Sequence, residues 1–367
     1  MVLCNLLSNG PLRSRLWSLL FLPLFSSVPQ AANAEPLPTA SELTTKLEKT
    51  AERISSSLVR WKERTHLQPG SMTGVEGREV DNFGRPFPAV GLDLTVENEL
   101  RFDESNWLWK RKGMLWENML ERAARKEYVY FYKNDSFTSF TGVDAKPNEW
   151  HSLGYISEGR AQFNTSQFPQ IAPMFLLARP FDTSFGHLAE DRWTRQEKVT
   201  ASTINGHECA TVRFAAKNGD YEKTCSFARD LDWALVRFTS GRRIKIEFEY
   251  DTNNSSEIQL PRSWIFEVRS PRRRVVERTV RGLVESWDVN VPVDLKDYEV
   301  HFPVGTEVID FTKLEDGVPK SHLVKVDGVR PITRAERDSK ISYVDLLRSR
   351  PDQLVLPKTK LRFKKTK

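Results

Sequence analysis

Cysteine is scarce: three residues in a chain of 367. That excludes a disulfide-dense small scaffold and any cysteine-rich zinc module. Long apolar runs are also missing beyond the first 34 residues, and the mean hydropathy is −0.50, which excludes a polytopic membrane protein. Charge of one sign is not in large excess. Fifty-five Lys and Arg stand against 49 Asp and Glu, a net of +6, too even to point to nucleic acid. There is no G-x-x-x-x-G-K-[ST] loop, G-x-G-x-x-G turn, G-x-S-x-G elbow or H-E-x-x-H pair. The six histidines (His66, His151, His187, His207, His301 and His322) are scattered, none at metal-ligand spacing from another ligand. The sequence therefore names no catalytic residue, metal or cofactor. With 39% hydrophobic residues, a sizeable core is within reach.

The N-terminus reads as an export signal. Arg13 and Arg15 precede the apolar stretch Leu16–Phe25, and Ala32-Asn33-Ala34 offers a small-x-small cleavage site. The apolar stretch is shorter than the ~20 residues a membrane span needs. Cleavage after Ala34 removes Cys4 and both arginines, taking the net charge from +6 to +4, and predicts an exported, periplasmic chain. Cys209 and Cys225 remain, on either side of Asn218-Gly219, a hairpin signal. Two readings stand open: a disulfide closed in an oxidising compartment, or two free thiols in strands slightly out of register.

Thr39-Ala40-Ser41-Glu42 fits a capping box. Leu43, Leu47, Ala51, Ile54, Leu58 and Trp61 follow at helical spacing, which predicts a helix ending before Gln68-Pro69-Gly70. The period then becomes two. Leu92, Leu94, Val96, Leu100 and Phe102 alternate with polar residues, as do Ala210, Val212 and Phe214, and Ile244, Ile246, Phe248 and Tyr250. Strand after strand without an intervening helical period predicts an α+β fold. Its core is one large antiparallel sheet curved into an unclosed β-barrel over an N-terminal helix. Residues 144–192, with four prolines and the cluster Ile171, Met174, Phe175, Leu176 and Leu177, read as an inserted short-helical lid. The main domain spans 35–312, and 313–367 reads as a basic extension that could meet an anionic membrane surface.

Aromatics make up 11% of the chain. Trp107, Trp109 and Trp116 crowd one region, and Tyr128, Tyr130 and Tyr132 share a strand face opposite Phe131. With Met174, Phe175 and Leu176 they are the candidate lining and lid of an apolar ligand cavity; ordinary core packing is the rival reading. The group Arg269, Arg272, Arg273, Arg274, Arg278 and Arg281 reads as a charged strand edge.

The order of parts, the stretch Ile204-Asn205-Gly206-His207-Glu208-Cys209-Ala210-Thr211-Val212, and the late F-P-x-G-T-x-V-x-D run at Phe302–Asp310 are shared with a known group. Residues 39–312 resemble bacterial outer-membrane lipoprotein-sorting-protein homologues, notably the long planctomycete-type members, within the periplasmic lipoprotein carrier superfamily. The resemblance implies an unclosed barrel with a hydrophobic cavity and helical lid. It implies a lipid or acylated protein as partner. The chain itself is read as a monomer without catalysis. A secreted hydrolase on a β-rich scaffold and an envelope scaffold held by its basic tail are the alternatives.

Overall fold

A computed structural model describes residues 36–69, 88, 90–103, 106–117, 122–133, 136–146, 149–158, 193–195, 199–216, 222–251, 258–269, 276–292, 294, 298, 300–315 and 317–332. The export signal, the lid candidates Met174, Phe175 and Leu176, and the basic run after residue 352 lie outside the described residues.

One α-helix, α1 (Ala40–Glu52), precedes seventeen strands among the described residues. They are β1 (Ser57–Leu67), β2 (Leu92–Phe102), β3 (Trp107–Glu117), β4 (Arg122–Lys133), β5 (Ser136–Lys146), β6 (Glu149–Glu158), β7 (Trp193–Arg195), β8 (Thr200–Ile204), β9 (His207–Ala216), β10 (Glu222–Ala228), β11 (Ala234–Ser240), β12 (Ile244–Tyr250), β13 (Pro261–Arg269), β14 (Val276–Val289), β15 (Glu307–Glu315), β16 (Val318–Lys325) and β17 (Gly328–Ile332). No helix among them is long and apolar enough to cross a membrane.

The capping box at the start of α1 forms as the sequence predicts. Thr39 Oγ1 accepts from the Glu42 amide at 3.2 Å, and the Glu42 carboxylate accepts from the Thr39 amide at 2.6 Å. That backbone donor holds the Glu42 carboxyl below its usual range. The predicted end of the helix is corrected. α1 stops at Glu52, and Ser57–Leu67 is a strand. Val59, Trp61, Glu63, Thr65 and Leu67 are buried, while Arg60, Lys62 and Arg64 between them are exposed. Leu58 and Trp61 extended the helical stripe only by coincidence of spacing. Asn290 enforces the break: its amide donates to the Arg53 carbonyl at 2.9 Å, and its Oδ1 accepts from the Ser55 amide at 2.8 Å.

β1 is first in sequence but central in the sheet, between β14 and β2. On one side β2 to β6 follow as successive antiparallel neighbours. On the other side β14 to β9 run back in the same way, and β7 and β8 share β9 as their partner. Asn205 and Gly206, both at positive φ, make the two-residue turn between β8 and β9. The sheet does not close: β17, paired with β16, ends it on one side, and β7 and β8, both paired with β9, end it on the other, and no pairing among the described residues joins the two ends. The sequence reading of a large antiparallel sheet forming an unclosed barrel thus holds.

Ahead of β15, which lies alongside β6 in parallel, Tyr298 and Phe302 pack on one face of the sheet, on Phe131 and Phe140 at ring distances of 6.3 and 6.4 Å. A Cβ on Gly154 would lie 2.5 Å from the Phe302 ring, so β6 carries glycine there. The Phe302–Thr306 run makes the landing: Thr306 Oγ1 donates to the Pro303 carbonyl at 2.7 Å and meets Ser152 Oγ at 2.9 Å. The sheet continues through β15 to β17.

The disulfide reading is corrected. Cys209 and Cys225 are both buried free thiols. In the β9–β10 register Cys209 faces Ala228 and Cys225 faces Val212. The offset of three residues separates them by roughly 10 Å along the strands and points them to opposite faces. Burial pushes the Cys225 thiol up to about 12 and raises Cys209 as well. Both should therefore resist iodoacetamide at pH 8 in the folded protein and react together on unfolding in urea, read by mass spectrometry. Rapid native labelling of Cys225 would show the register to be wrong.

Candidate functional site

The strand register sets rows of side chains on the face where α1 lies, here called inner. One row is Val59, Leu100, Trp109, Tyr130 and Ser139; the next is Trp61, Asn98, Arg111, Tyr128 and Thr141. Aromatic neighbours stack along and across them: Trp109 on Tyr130 at 5.2 Å, Tyr128 on Tyr130 at 6.1 Å, and Trp107 on Tyr132 at 6.2 Å. Four of the predicted lining residues, Trp107, Trp109, Tyr128 and Tyr130, therefore share one surface. Trp116 does not join them. It lies an odd number of residues from Trp107 and Trp109 along a regular ladder, so it belongs to the opposite face. Across β1 the same surface continues through Trp61 and Trp264, whose rings meet edge to face at 5.9 Å, to Phe266, Phe248, Ile246 and Phe238.

A charged group interrupts this apolar surface. Glu63 is fully buried. Its carboxylate accepts from Trp61 Nε1 and from Arg111 Nη2, each at 2.9 Å. The Arg111 guanidinium also lies 5.9 Å from the Trp109 ring centre. Beside it, Trp109 Nε1 donates to Asn98 Oδ1 at 3.2 Å, and Lys126 Nζ donates to the Tyr128 hydroxyl at 3.0 Å. Arg278 enters from β14, opposite Leu67 and Val268 in register. Its guanidinium lies 5.4 Å from the Phe266 ring centre. Burial, then the neighbouring Arg111 charge, bring Arg278 down to about 10, with Glu63 opposing; it is still cationic at neutral pH. The charged-edge reading of the arginine group is corrected at this residue, because β14 is an interior strand with β13 and β1 on either side.

A cavity of about 450 Å³ opens between α1, the segment Leu231–Trp233 and the ends of β11 to β13. Leu47, Leu231, Trp233, Leu235, Tyr250 and Leu260 supply its apolar wall, and Lys46, Lys49 and Arg53 of α1 stand at its rim. The volume lies within the ~300–1,000 Å³ of ligand pockets. Lys46 pairs with Asp232 across the opening. Asp232 and Trp233 both have positive φ, 51° and 61°. A bulky side chain in that region is strained, which is a common property of ligand-contacting turns. Tyr250 donates to the Leu235 carbonyl at 2.8 Å, and burial raises its phenol far above the usual range.

Glu63, Arg111, Lys126 and Arg278 were not legible as a group from sequence. Reading Trp61 into the helix hid Glu63, although the alternation Val59, Trp61, Glu63, Thr65, Leu67 carried the signal. Two histidines do have carboxylate partners: His66 Nδ1 lies 3.1 Å from Asp93, and His207 Nδ1 lies 2.7 Å from Asp230. Gln68 occupies the other nitrogen of His66 at 3.2 Å, and no hydroxyl or thiol among the described residues is hydrogen-bonded to the His207 ring. No cluster of three or more His, Cys, Asp or Glu side chains among the described residues is arranged to hold a metal ion. Neither a protein-family model nor a curated protein sequence matches the chain.

Proposed function

We propose that this protein is an exported, periplasmic carrier for a hydrophobic or lipidated ligand, a lipid or an acylated protein, and acts without catalysis as a monomer. The observation that carries the reading is the cavity under α1: an apolar wall supplied by Leu47 of α1, Leu231 and Trp233 of the segment between β10 and β11, Leu235 and Tyr250 of the sheet, and Leu260, with lysine and arginine at its mouth. Each methylene buried there contributes about 0.8 kcal/mol, so an acyl chain has a strong driving force to enter. The cations at the rim suit an anionic head. The resemblance of residues 39–312 to lipoprotein-sorting homologues supports the same reading, and the basic run after residue 352 suits contact with an anionic membrane surface. The hydrolase alternative finds no support in the two His–Asp pairs, since neither shows a nucleophile on the second ring nitrogen among the described residues.

The test is titration with a fluorescent long-chain fatty acid. Wild-type protein should bind it. Leu47→Asp, which places a carboxylate on the cavity wall at a half-buried helix position, should weaken binding by about ten-fold or more while leaving the circular dichroism spectrum intact. Unchanged binding in the folded variant would move the site away from α1. No binding by the wild type would overturn the carrier reading.

A further inference from the structure

The cavity under α1 has a fixed capacity. Its roof is held at both ends. Leu43 near the start of α1 and Ile54 just past its end are buried. Asn290 donates to the Arg53 carbonyl at 2.9 Å and accepts from the Ser55 amide at 2.8 Å. Between these anchors Lys46 pairs with Asp232 across the opening. The floor is Leu231, Leu235 and Tyr250, all buried, and the Tyr250 hydroxyl is already donated to the Leu235 carbonyl. Such a floor offers apolar surface and yields little, because close-packed core residues have nowhere to go. A methylene fills about the ~30 Å³ that a water molecule takes in the liquid, so the cavity of about 450 Å³ holds about fifteen of them. That is one long acyl chain and not two.

The rim sets the sign of the head. Lys46, Lys49 and Arg53, three and four residues apart, line one side of α1 at the cavity mouth. Like charges at that spacing repel, and an anion seated among them removes the cost. Two acids share the lining. The Glu42 carboxylate is held by the Thr39 amide and hydroxyl at 2.6 and 2.8 Å, and Asp232 is held by Lys46. Lys49 is exposed and makes no ion pair among the described residues.

We infer that the cavity under α1 takes a single-chain amphiphile with an anionic head, the chain on Leu231, Leu235 and Tyr250 and the head at Lys49, and that it turns away two-chain lipids. This inference rests on the carrier reading and narrows its ligand to one acyl chain. Lys49 acts by binding, and no covalent step is involved.

The experiment uses the full chain. Saturated fatty acids from decanoate to docosanoate, each below its micelle concentration, compete with the fluorescent fatty acid. Affinity should rise about four-fold per added methylene until the cavity is full, at about fifteen carbons, and level off by octadecanoate. Lys49→Gln should weaken hexadecanoate binding about two- to five-fold, the value of one exposed charge pair, and leave hexadecanol binding unchanged. Native mass spectrometry then compares phosphatidylglycerol bearing one hexadecanoyl chain with the same lipid bearing two, both delivered from cyclodextrin. The one-chain form should bind about ten-fold or more tightly, since a second chain overfills the cavity. Three results overturn the inference and leave the carrier reading standing: equal binding of the one- and two-chain lipids, an affinity still rising at docosanoate, or a Lys49→Gln variant that changes hexadecanoate and hexadecanol alike. Failure of wild type to bind any probe overturns the carrier reading itself. Tighter binding of hexadecanoate than of the one-chain phospholipid supports the inference and makes a free fatty acid the source; the reverse order supports it with a lysophospholipid as the source. Circular dichroism checks that the variant keeps its fold.

Discussion

Replacing Glu63 by alanine is expected to lower stability by about 3–5 kcal/mol, the cost of breaking a buried ion pair by removing one partner. The carboxylate is fully buried and holds two donors at 2.9 Å, so its loss removes an acceptor from the Arg111 guanidinium and from the Trp61 indole together. It also removes the nearest negative charge from Arg278. Arg111→Met should be costly for the reciprocal reason. The double variant should cost less than the sum of the singles by about 1–3 kcal/mol, because the second change removes a charge the first had stranded. Urea midpoints at constant m-value measure all three. A single-variant loss nearer to the ~0.5 kcal/mol of an exposed pair would show that water reaches the carboxylate in the folded protein.

The second large effect is expected at Gly282, one position across the ladder from both Glu63 and Trp264. A Cβ there would lie 2.1, 2.2 and 2.7 Å from Trp264 Cε2, Cζ2 and Cδ2. The obstruction is a rigid ring, fully buried and braced edge to face by Trp61. Alanine is otherwise the better strand residue, worth about 0.5–1 kcal/mol over glycine. Overpacking against an immovable ring costs about 1–3 kcal/mol or more, so destabilisation wins. Gly282→Ala should therefore lose about 2 kcal/mol or more, and Trp264→Ala about 3–5 kcal/mol by cavity formation. Adding Trp264→Phe to Gly282→Ala should recover part of the loss, since the smaller ring retreats from the new methyl. Thermal melts of the three variants check the order, and a neutral Gly282→Ala would show that the indole does not lie over the glycine.

Period-two alternation made most of the strands legible in the sequence, because one face of each is buried and the other is solvated. Ile244 to Tyr250 reads cleanly for that reason, and both faces of β4 were separable because Tyr128, Tyr130 and Tyr132 alternate with Phe131. β1 failed because Leu43 to Trp61 satisfies the helical period by chance, and helix spacing outweighed the better alternation that begins at Val59. The cysteine pairing failed because it needs the register across a turn, which a sequence does not fix to within one residue. Trp116 was grouped with Trp107 and Trp109 by proximity alone, whereas parity along β3 divides them. The charged group around Glu63 was illegible for a deeper reason. Its members come from β1, β3, β4 and β14, and only the pairing of β14 with β1 puts Arg278 on the same face as Glu63. The Phe302–Thr306 run, by contrast, was visible as a motif, and its role is the turn that seats β15 beside β6.

The central place of β1 sets a timetable for folding. Ser57, whose Oγ donates to the Asp288 carbonyl across β1 and β14, lies 231 residues from it in the chain. At a synthesis rate of about 5–20 residues per second, β1 emerges roughly 10–50 s before its second partner exists. Over that interval β2 to β6 can form by local hairpins while one edge of β1, bearing Val59, Trp61 and the Glu63 carboxylate, has no strand beside it. The contact order of this one pairing makes it the slow step, and the nascent chain carries an open, aggregation-prone edge until residue 289 has been made.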